Sequence, residues 1–256
     1  MKIGIFGGTF NPVHLGHTAL ASYICNLGLV DEVWLMVSPQ NPFKQDHQLL
    51  DEAVRLRLAT LAVRDFPRLR ASDFEFHLPR PSYTYVTLQE LSRAYPDDAF
   101  SLIIGADNWD AFPKWRNADD ILAHYPIIVY PRETVNDNVN DNDNDNVNEN
   151  DNVNDNDANN PNPSPLTPNP KTLEVRGESL ESAANNPNPS PLTPNPKTPP
   201  TNCQLPIANC QFLNSAPLYP ISSTAIRTAI AAGDDVTPWL DPAVLDEIRR
   251  LRLYAQ

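Results

Sequence analysis

Short apolar runs alternate with amphipathic stretches over the first half of the chain. Runs at 3–6, 32–37, 101–104 and 127–130 have the length and composition of β-strands, and a weaker run lies near 69–76. These five runs are the predicted strands.

The segments between the strands carry apolar side chains at helical spacing. The first covers 19–27 and ends at Gly28, the second covers 56–62, and the third covers 86–91 and ends before Pro96. Strands that alternate with helices pair in parallel, which predicts an α/β fold: a doubly wound, Rossmann-like parallel sheet with helices on both faces. A small helical part follows at the C-terminal end. Ligands of such sheets bind outside the carboxyl ends of the strands.

The composition changes abruptly after Thr134. Asn occupies every even position from 136 to 156, and the sequence NNPNPSPLTPNPKT occurs twice, at 159–172 and 185–198. Neither pattern has an apolar face to bury, so the segment is predicted to be a disordered, low-complexity insertion. We therefore divide the chain into a core from 1 to 134, an insertion from 135 to 211, and the rest of the core from 212 to 256.

Charge and composition exclude several classes of partner. The formal net charge of −13 disfavours binding to nucleic acid or to an anionic membrane. The three cysteines form no C-x-x-C pair, and no apolar run approaches the ~20 residues that cross a bilayer, so a soluble, cytoplasmic protein is expected. The run Asp141, Asp143 and Asp145 lacks the Gly and Glu of a calcium loop, and no metal site is predicted there or elsewhere in the chain.

The first predicted strand continues into GGTFNPVHLGH, at 7–17. Gly7 and Gly8 are expected to allow a sharp turn and a close approach to a ligand, and a helix is expected to begin near His14. His14 and His17 are three residues apart and share one face of that helix. The loop therefore has the character of an anion-binding cradle that carries two histidines.

This loop resembles the G-x-F-x-P-x-H-x-G-H signature of the nucleotidyltransferase α/β-phosphodiesterase superfamily. The signature is matched without a departure, at Gly8, Phe10, Pro12, His14, Gly16 and His17. A second superfamily motif, ISSTAIR, lies at 221–227. From the residues alone, Ser222 or Ser223 can cap a helix that ends at Gly233, with Arg227 as a charged donor in its first turn. The resemblance implies that this helix start holds the phosphates of ATP.

Within the superfamily the chain resembles the nicotinate-nucleotide adenylyltransferases. The supporting stretches are SPQNPFK at 38–44, SYTYVTL at 82–88, IIGADN at 103–108 and FPKW at 112–115. The family usually has Asp next to SYT and often His before the lysine, where this chain has Val86 and Phe43.

The resemblance implies two sets of binding residues. The ATP set is Gly7, Gly8, Thr9, Phe10, His14, His17, Lys44, Gly105, Asp107, Ile221, Ser222, Ser223 and Arg227. The set for nicotinate mononucleotide is Ser82, Tyr83, Thr84 and Trp115.

Several members of these sets have a simpler interpretation that remains open. Lys44 could be an ordinary loop lysine, and Asp107 could cap a helix instead of receiving ribose hydroxyls. Trp115 could belong to the core instead of stacking on the pyridine ring. The segment 82–84 could be only a helix start instead of a site for the nicotinate carboxylate.

The implied reaction is adenylyl transfer from ATP to nicotinate mononucleotide, which gives deamido-NAD and pyrophosphate in NAD biosynthesis. The acceptor phosphate is already ionised, so catalysis is expected from positioning and charge. His17 is assigned the main catalytic part, and His14, Lys44 and Arg227 are expected to bind the triphosphate. Mg²⁺ is expected as the cofactor of ATP, held mainly by the phosphates. The alternatives are another acceptor, such as nicotinamide mononucleotide, or a nucleotide-binding regulatory protein without turnover.

Overall fold

The computed structural model describes residues 1–39, 49–132, 209–216 and 219–255. Six strands form one sheet, with the bounds β1 Lys2–Gly8, β2 Glu32–Val37, β3 Leu69–Ser72, β4 Ala99–Gly105, β5 Ile127–Tyr130 and β6 Cys210–Phe212. The α-helices have the bounds α1 Leu15–Asn26, α2 Glu52–Val63, α3 Thr84–Ala94, α4 Ala106–Ala111, α5 Ala118–His124, α6 Ser223–Ala232 and α7 Pro242–Leu251.

The sheet is parallel throughout, and its strand order is β3-β2-β1-β4-β5-β6. The order reverses between β1 and β4, so the chain winds outward from the centre in both directions. This confirms the predicted doubly wound α/β fold. The carboxyl ends of β1 and β4 meet at the reversal, where such sheets bind ligands.

The two faces of the sheet are covered by separate apolar clusters. One cluster packs α1, α2, α6 and α7 on one face, with Ile24, Leu58 and Ile226 fully buried. The other packs α3, α4 and α5 on the opposite face, with Leu88 and Ile121 buried. Helices therefore lie on both faces, as predicted, because each strand contributes alternate side chains to the two clusters.

The predicted elements differ from the observed ones mainly at their ends. The run near 69–76 divides into the short strand β3 and a single 3₁₀ turn, Phe74–His77. The prediction included Leu27 in the first helix, but the helix ends at Asn26 and Leu27 is 47% exposed. Gly28 follows with a left-handed φ of 72°. In the part of the chain that is described, no helix is long and apolar enough to cross a bilayer.

Strand β6 begins inside the segment that the sequence assigns to the insertion. Cys210, Gln211 and Phe212 pair with β5, so the last two residues of the predicted 135–211 insertion belong to the sheet. The composition could not reveal this, because a three-residue edge strand is too short for a periodic signal. The prediction of disorder for 135–208 lies outside the described residues.

Candidate active site

The loop after β1 is built differently from the predicted turn. Gly7 and Gly8 lie within β1 itself, and the left-handed residue of the loop is Phe10, with φ 50°. The expectation that the two glycines make the sharp turn was therefore wrong. Gly7 fits a close approach nonetheless, since a Cβ added there would meet no described atom within 4 Å.

His14 and His17 form a reciprocal cap at the start of α1. His14 is the N-cap residue, and its Nδ1 accepts a hydrogen bond from the Gly16 N–H at 3.2 Å. His17 Nδ1 accepts from the His14 N–H at 3.1 Å, which completes a capping box. The ring centroids are 3.7 Å apart, which confirms that the two histidines share one face of the helix.

The cap determines which nitrogen of each ring carries the proton. Because both Nδ1 atoms accept from backbone N–H groups, the neutral rings carry their hydrogens on Nε2. Burial, and then the charge of nearby Arg132, lower the pKa of His14 from 6.5 to about 3. Burial, and then His14 and Arg132, lower the pKa of His17 well below 6.5. At neutral pH the loop therefore offers two Nε2–H donors without a net charge on either imidazole.

Arg132 adds a cation that the sequence interpretation missed. It lies two residues after β5 and donates to Asp107 Oδ2 at 3.1 Å. Gly105 makes room for this pair, because a Cβ on Gly105 would lie 2.4 Å from Asp107 Oδ1. A charged residue directly after a predicted strand was a usable signal, since strand ends converge in this fold.

Asp107 does not cap a helix. The N-cap of α4 is Gly105, and Asp107 lies in the first turn, where a carboxylate interacts favourably with the helix dipole. The helix-cap interpretation is thus wrong. The expectation that Asp107 receives ribose hydroxyls stays a prediction.

The ISSTAIR segment lies against the loop after β1. Ser222 caps α6 by accepting from the Ala225 N–H, and Gly233 ends the helix in a left-handed conformation, both as predicted. Ser223, which is buried, donates to the carbonyl of Pro12 at 2.8 Å. Ile221, half-buried, packs on the first apolar cluster. The two motifs, more than 200 residues apart in sequence, thus meet in space.

Arg227 is the fifth residue of α6 and so lies at the start of the second turn, just beyond its predicted place in the first turn. Its guanidinium donates to the Asn11 carbonyl at 2.7 Å and to Thr224 Oγ1 at 2.9 Å. Its Nε is buried without a partner, and among the described residues no carboxylate pairs with Arg227. A half-buried cation with an unused, buried N–H is an arrangement that favours an anionic ligand.

Arg55 is a second arginine that the sequence interpretation missed, and it hydrogen-bonds the backbone of the loop after β1 from inside the protein. Its side chain is fully buried and donates to three backbone carbonyls, those of Leu50 at 2.9 Å, Thr9 at 2.7 Å and Ser38 at 2.8 Å. The available signal was its position, three residues before Leu58 on the buried side of α2, where an arginine needs internal acceptors.

The segment assigned to nicotinate mononucleotide begins a helix. Tyr83 is the N-cap residue of α3 and Thr84 its first residue, and the Tyr83 side chain makes no capping hydrogen bond. Ser82, Tyr83 and Thr84 are all half-buried. The Arg116 guanidinium lies over the Tyr83 ring at 4.8 Å. The helix start and the Arg116 guanidinium are both features that favour an anionic substituent.

Trp115 follows the turn Phe112–Lys114 on the same side of the sheet as α3. Its ring is half-buried and packs against buried Phe112, with centroids 5.3 Å apart. Part of the ring therefore remains accessible to solvent. Its assignment to a pyridine ring stays a prediction.

A buried carboxyl group, which the sequence interpretation also missed, connects β2 to the start of α3. Thr87 donates to Glu75 Oε1 at 2.9 Å, and Ser38 also hydrogen-bonds this group. Burial, which outweighs these hydrogen bonds, raises the pKa of Glu75 from 4.5 to about 7.

The assigned residues are brought together only in part. His14, His17 and Arg227 lie on or against one loop, and Gly105 and Asp107 lie beside Arg132, which acts electrostatically on both histidines. Lys44 lies outside the described residues. Among those residues, no group of three or more His, Cys, Asp or Glu could hold a metal ion.

Comparison with known proteins shows the family to which the chain belongs. The model of the cytidylyltransferase-like family matches residues 5–229. A protein of Bacteroides thetaiotaomicron named as a nicotinate-nucleotide adenylyltransferase is 53% identical over 140 residues, 54% of this chain and 69% of that protein. One of Porphyromonas gingivalis with the same name is 32% identical over 242 residues, 94% of this chain and 89% of that protein.

Solved structures support the fold. The nicotinic acid mononucleotide adenylyltransferase of Plasmodium falciparum, in complex with NaAD, superposes with a TM-score of 0.60 at 15% identity, covering 99% of this chain and 97% of that one. At this identity the likeness shows the fold alone. On the sequence matches, the chain belongs to the nicotinate-nucleotide adenylyltransferases of the cytidylyltransferase-like family.

Proposed function

We propose that this protein transfers the adenylyl group of ATP to nicotinate mononucleotide and releases pyrophosphate, in NAD biosynthesis. The observation that carries the proposal is the pair of neutral histidines at the start of α1. Both Nδ1 atoms are occupied by backbone amides, so the only hydrogens the rings can donate are on Nε2. This is the donor set that a phosphoryl group needs at the carboxyl end of β1.

The reaction needs no protein nucleophile. A phosphate monoester has a second pKa near ~6, so the mononucleotide phosphate attacks the α-phosphorus of ATP directly, and pyrophosphate leaves in line. The protein has to bring two anions together and to stabilise the charge that develops between them. A neutral Nε2–H donor at His17 does so without competing for the attacking oxygen.

The remaining cations steady the triphosphate. Arg227 has a buried, unused Nε–H and no carboxylate partner among the described residues, and we assign it and Lys44 to the outer phosphates. Arg132 raises the positive potential at the histidines. Binding of the phosphates raises the pKa of both imidazoles again, because the anion favours their protonated form.

Mg²⁺ enters this scheme with ATP. The described residues contain no carboxylate or histidine cluster for it, so phosphate oxygens and water are its main ligands. The ion neutralises phosphate charge, and none of the steps assigned to protein side chains runs through it.

The acceptor is assigned from the start of α3. The positive end of the helix dipole and Arg116, over the ring of Tyr83, favour a substrate with a carboxylate over one with an amide. This favours nicotinate over nicotinamide mononucleotide, and we assign Trp115 to stacking on the pyridine ring. Both substrates are small molecules, and we expect the protein to act in the cytoplasm.

The test is a coupled assay for pyrophosphate with the full chain, ATP and Mg²⁺, run with each mononucleotide in turn. We expect faster release with nicotinate mononucleotide. Faster release with nicotinamide mononucleotide would overturn the acceptor assignment. ATP binding without release with either would indicate a regulatory protein that does not turn over.

A further inference from the structure

The chain after α7 folds back onto the loop after β1. Tyr254, three residues beyond α7, donates from its hydroxyl to Asn11 Oδ1 at 2.8 Å, across 243 residues of sequence. The Leu50 N–H reaches the same oxygen at 3.4 Å. Asn11 itself is 2% exposed and lies three residues before the capping residue His14.

Both halves of Asn11 are held by the C-terminal part of the core. Arg227 donates to its main-chain carbonyl at 2.7 Å, while Tyr254 donates to its side-chain carbonyl. The charges of Arg227 and Arg55 both act on the Tyr254 hydroxyl. Tyr254 therefore interacts electrostatically with the two guanidinium groups that hold the Asn11 and Thr9 carbonyls.

The tyrosine takes a costly backbone conformation to reach this place. Its φ is 61°, and Arg252, which ends α7, has φ 54°. This region is unfavourable for a non-glycine residue, which adopts it where its surroundings impose it. Here the Leu253 N–H bonds to Ile248 O at 3.0 Å, and the Tyr254 ring packs on the first apolar cluster.

The hydroxyl acts as a fixed donor. Burial, which outweighs the two arginine charges, raises the pKa of Tyr254, so the phenol keeps its proton at neutral pH. The amide oxygen of Asn11 can only accept. The direction of this hydrogen bond is thus determined by the chemistry of its two partners.

We propose that Tyr254 is a positioning residue of the nucleotide-binding loop, which acts through Asn11 to hold the loop in the shape that receives the triphosphate. This inference rests on the proposed function only in naming ATP as the ligand. It adds to the site a side chain that neither signature motif contains.

The test compares Tyr254→Phe with Tyr23→Phe in the full chain. Tyr23 is the matched control, because its hydroxyl also bonds one side chain, Ser215 Oγ at 3.1 Å, away from the loop. We measure ATP binding by direct titration, together with the melting temperature. Loss of one hydrogen bond predicts that Tyr254→Phe binds ATP about 3- to 10-fold more weakly. Tyr23→Phe should bind ATP normally with a similar small loss in melting temperature.

A double-mutant cycle with Asn11→Ala tests whether Tyr254 affects ATP binding through Asn11. If Tyr254 acts through Asn11, Tyr254→Phe has no further effect on ATP affinity in the Asn11→Ala protein. If Asn11→Ala does not fold, the comparison with Tyr23→Phe decides alone. Equal ATP affinity in wild type and Tyr254→Phe overturns the proposal. Normal ATP binding by wild type without pyrophosphate release would contradict the proposed reaction and leave the titration as a valid test of Tyr254.

Discussion

His14 and His17, at the start of α1, each have a structural role and a chemical role. Each ring uses one nitrogen to cap the helix and keeps the other as a donor. A substitution at either position therefore changes both the stability of the helix end and the chemistry of the loop, and experiments have to separate the two.

For His17, two substitutions separate these parts. His17→Gln keeps a side chain that can accept from the His14 N–H, as in a capping box, whereas His17→Ala loses that acceptor at a cost of about 1 kcal/mol. His17→Ala should lower kcat by roughly 10²–10³ with a small change in the KM for ATP, because the lost donor matters most as charge develops. His17→Gln should lose less of kcat, because its amide N–H can still donate while its oxygen accepts. Steady-state kinetics and urea unfolding measure the two effects. Near-normal kcat in both variants would contradict the catalytic assignment.

His14 predicts how stability depends on pH. Its pKa is about 3 in the folded protein and near 6.5 when unfolded, so the unfolded chain binds more protons between these values. Stability is therefore complete above pH 6.5 and falls as the pH drops. As the pH falls from about 7.5 to about 5, protonation of this histidine in the unfolded chain should lower the free energy of unfolding by about 2 kcal/mol.

The comparison for this pH effect is His14→Asn, which keeps an acceptor at the N-cap but does not titrate. Urea unfolding at both pH values should show a smaller loss for the variant than for wild type. An equal loss in the two proteins would mean that His14 is not buried as a neutral ring.

At the residue scale, the sequence was most informative where a motif named the side chain. The two histidines, Ser222 and Gly233 were found in their predicted places. Arg55 and Tyr254 were missed, because their partners are backbone carbonyls and an amide that become neighbours only on folding.

At the scale of elements, helix α6 is the connection between the two motifs. Its N-cap Ser222 starts the helix, Ser223 bonds the Pro12 carbonyl, and Arg227 bonds the Asn11 carbonyl one turn later. The helix thus presents both a backbone-binding surface and a cation to the loop after β1.

We expect Arg227→Ala to weaken ATP binding more than AMP binding, because the side chain is assigned to the outer phosphates. Titration of the variant with the two nucleotides measures the difference. Thr228→Ala is the control, since its exposed side chain lies next to Arg227 on the same helix. An equal loss for AMP and ATP would indicate that Arg227 acts only by holding Asn11.

The strands also show which elements a hydrophobic pattern can predict and which it cannot. The strands at 32–37 and 127–130 were predicted to the residue, because buried parallel strands are continuous apolar runs. The first two residues of strand β6, Cys210 and Gln211, were placed in the insertion, because a three-residue strand carries no such signal.

At the scale of the whole molecule, the position of β6 decides how the insertion can be removed. Strands β5 and β6 are parallel, so the connection has to return from the carboxyl end of β5 to the opposite end of the sheet. Such a crossover needs about a dozen residues or more. A short linker that joins Thr134 to Phe212 would remove part of β6 and could not span this distance.

We therefore predict that replacing 135–208 with a Gly-Ser linker of about 15 residues preserves folding and turnover. This protein keeps Asn209, whose side chain donates to the Leu122 carbonyl at 3.0 Å, and all of β6. The comparison protein lacks 135–212 and carries the same linker. It should lose stability, because the edge strand is gone.

Circular dichroism, thermal melting and the pyrophosphate assay together measure the outcome for both proteins. A protein that keeps β6 and folds but has lost activity would show that the insertion takes part in function, and the domain interpretation would fail.

The sequence by itself determined the fold class, the two motifs and the family, because apolar periodicity and helix capping are local and the motif residues are contiguous. Only the tertiary structure decided how the motifs meet and which buried groups support them. Arg55, Arg132, Glu75 and Tyr254 belong to this second group. Burying a polar group is favourable only where folding supplies its partner, so the local signals at Arg55 and Arg132 could mark these positions but could not reveal the partners that give the four residues their roles.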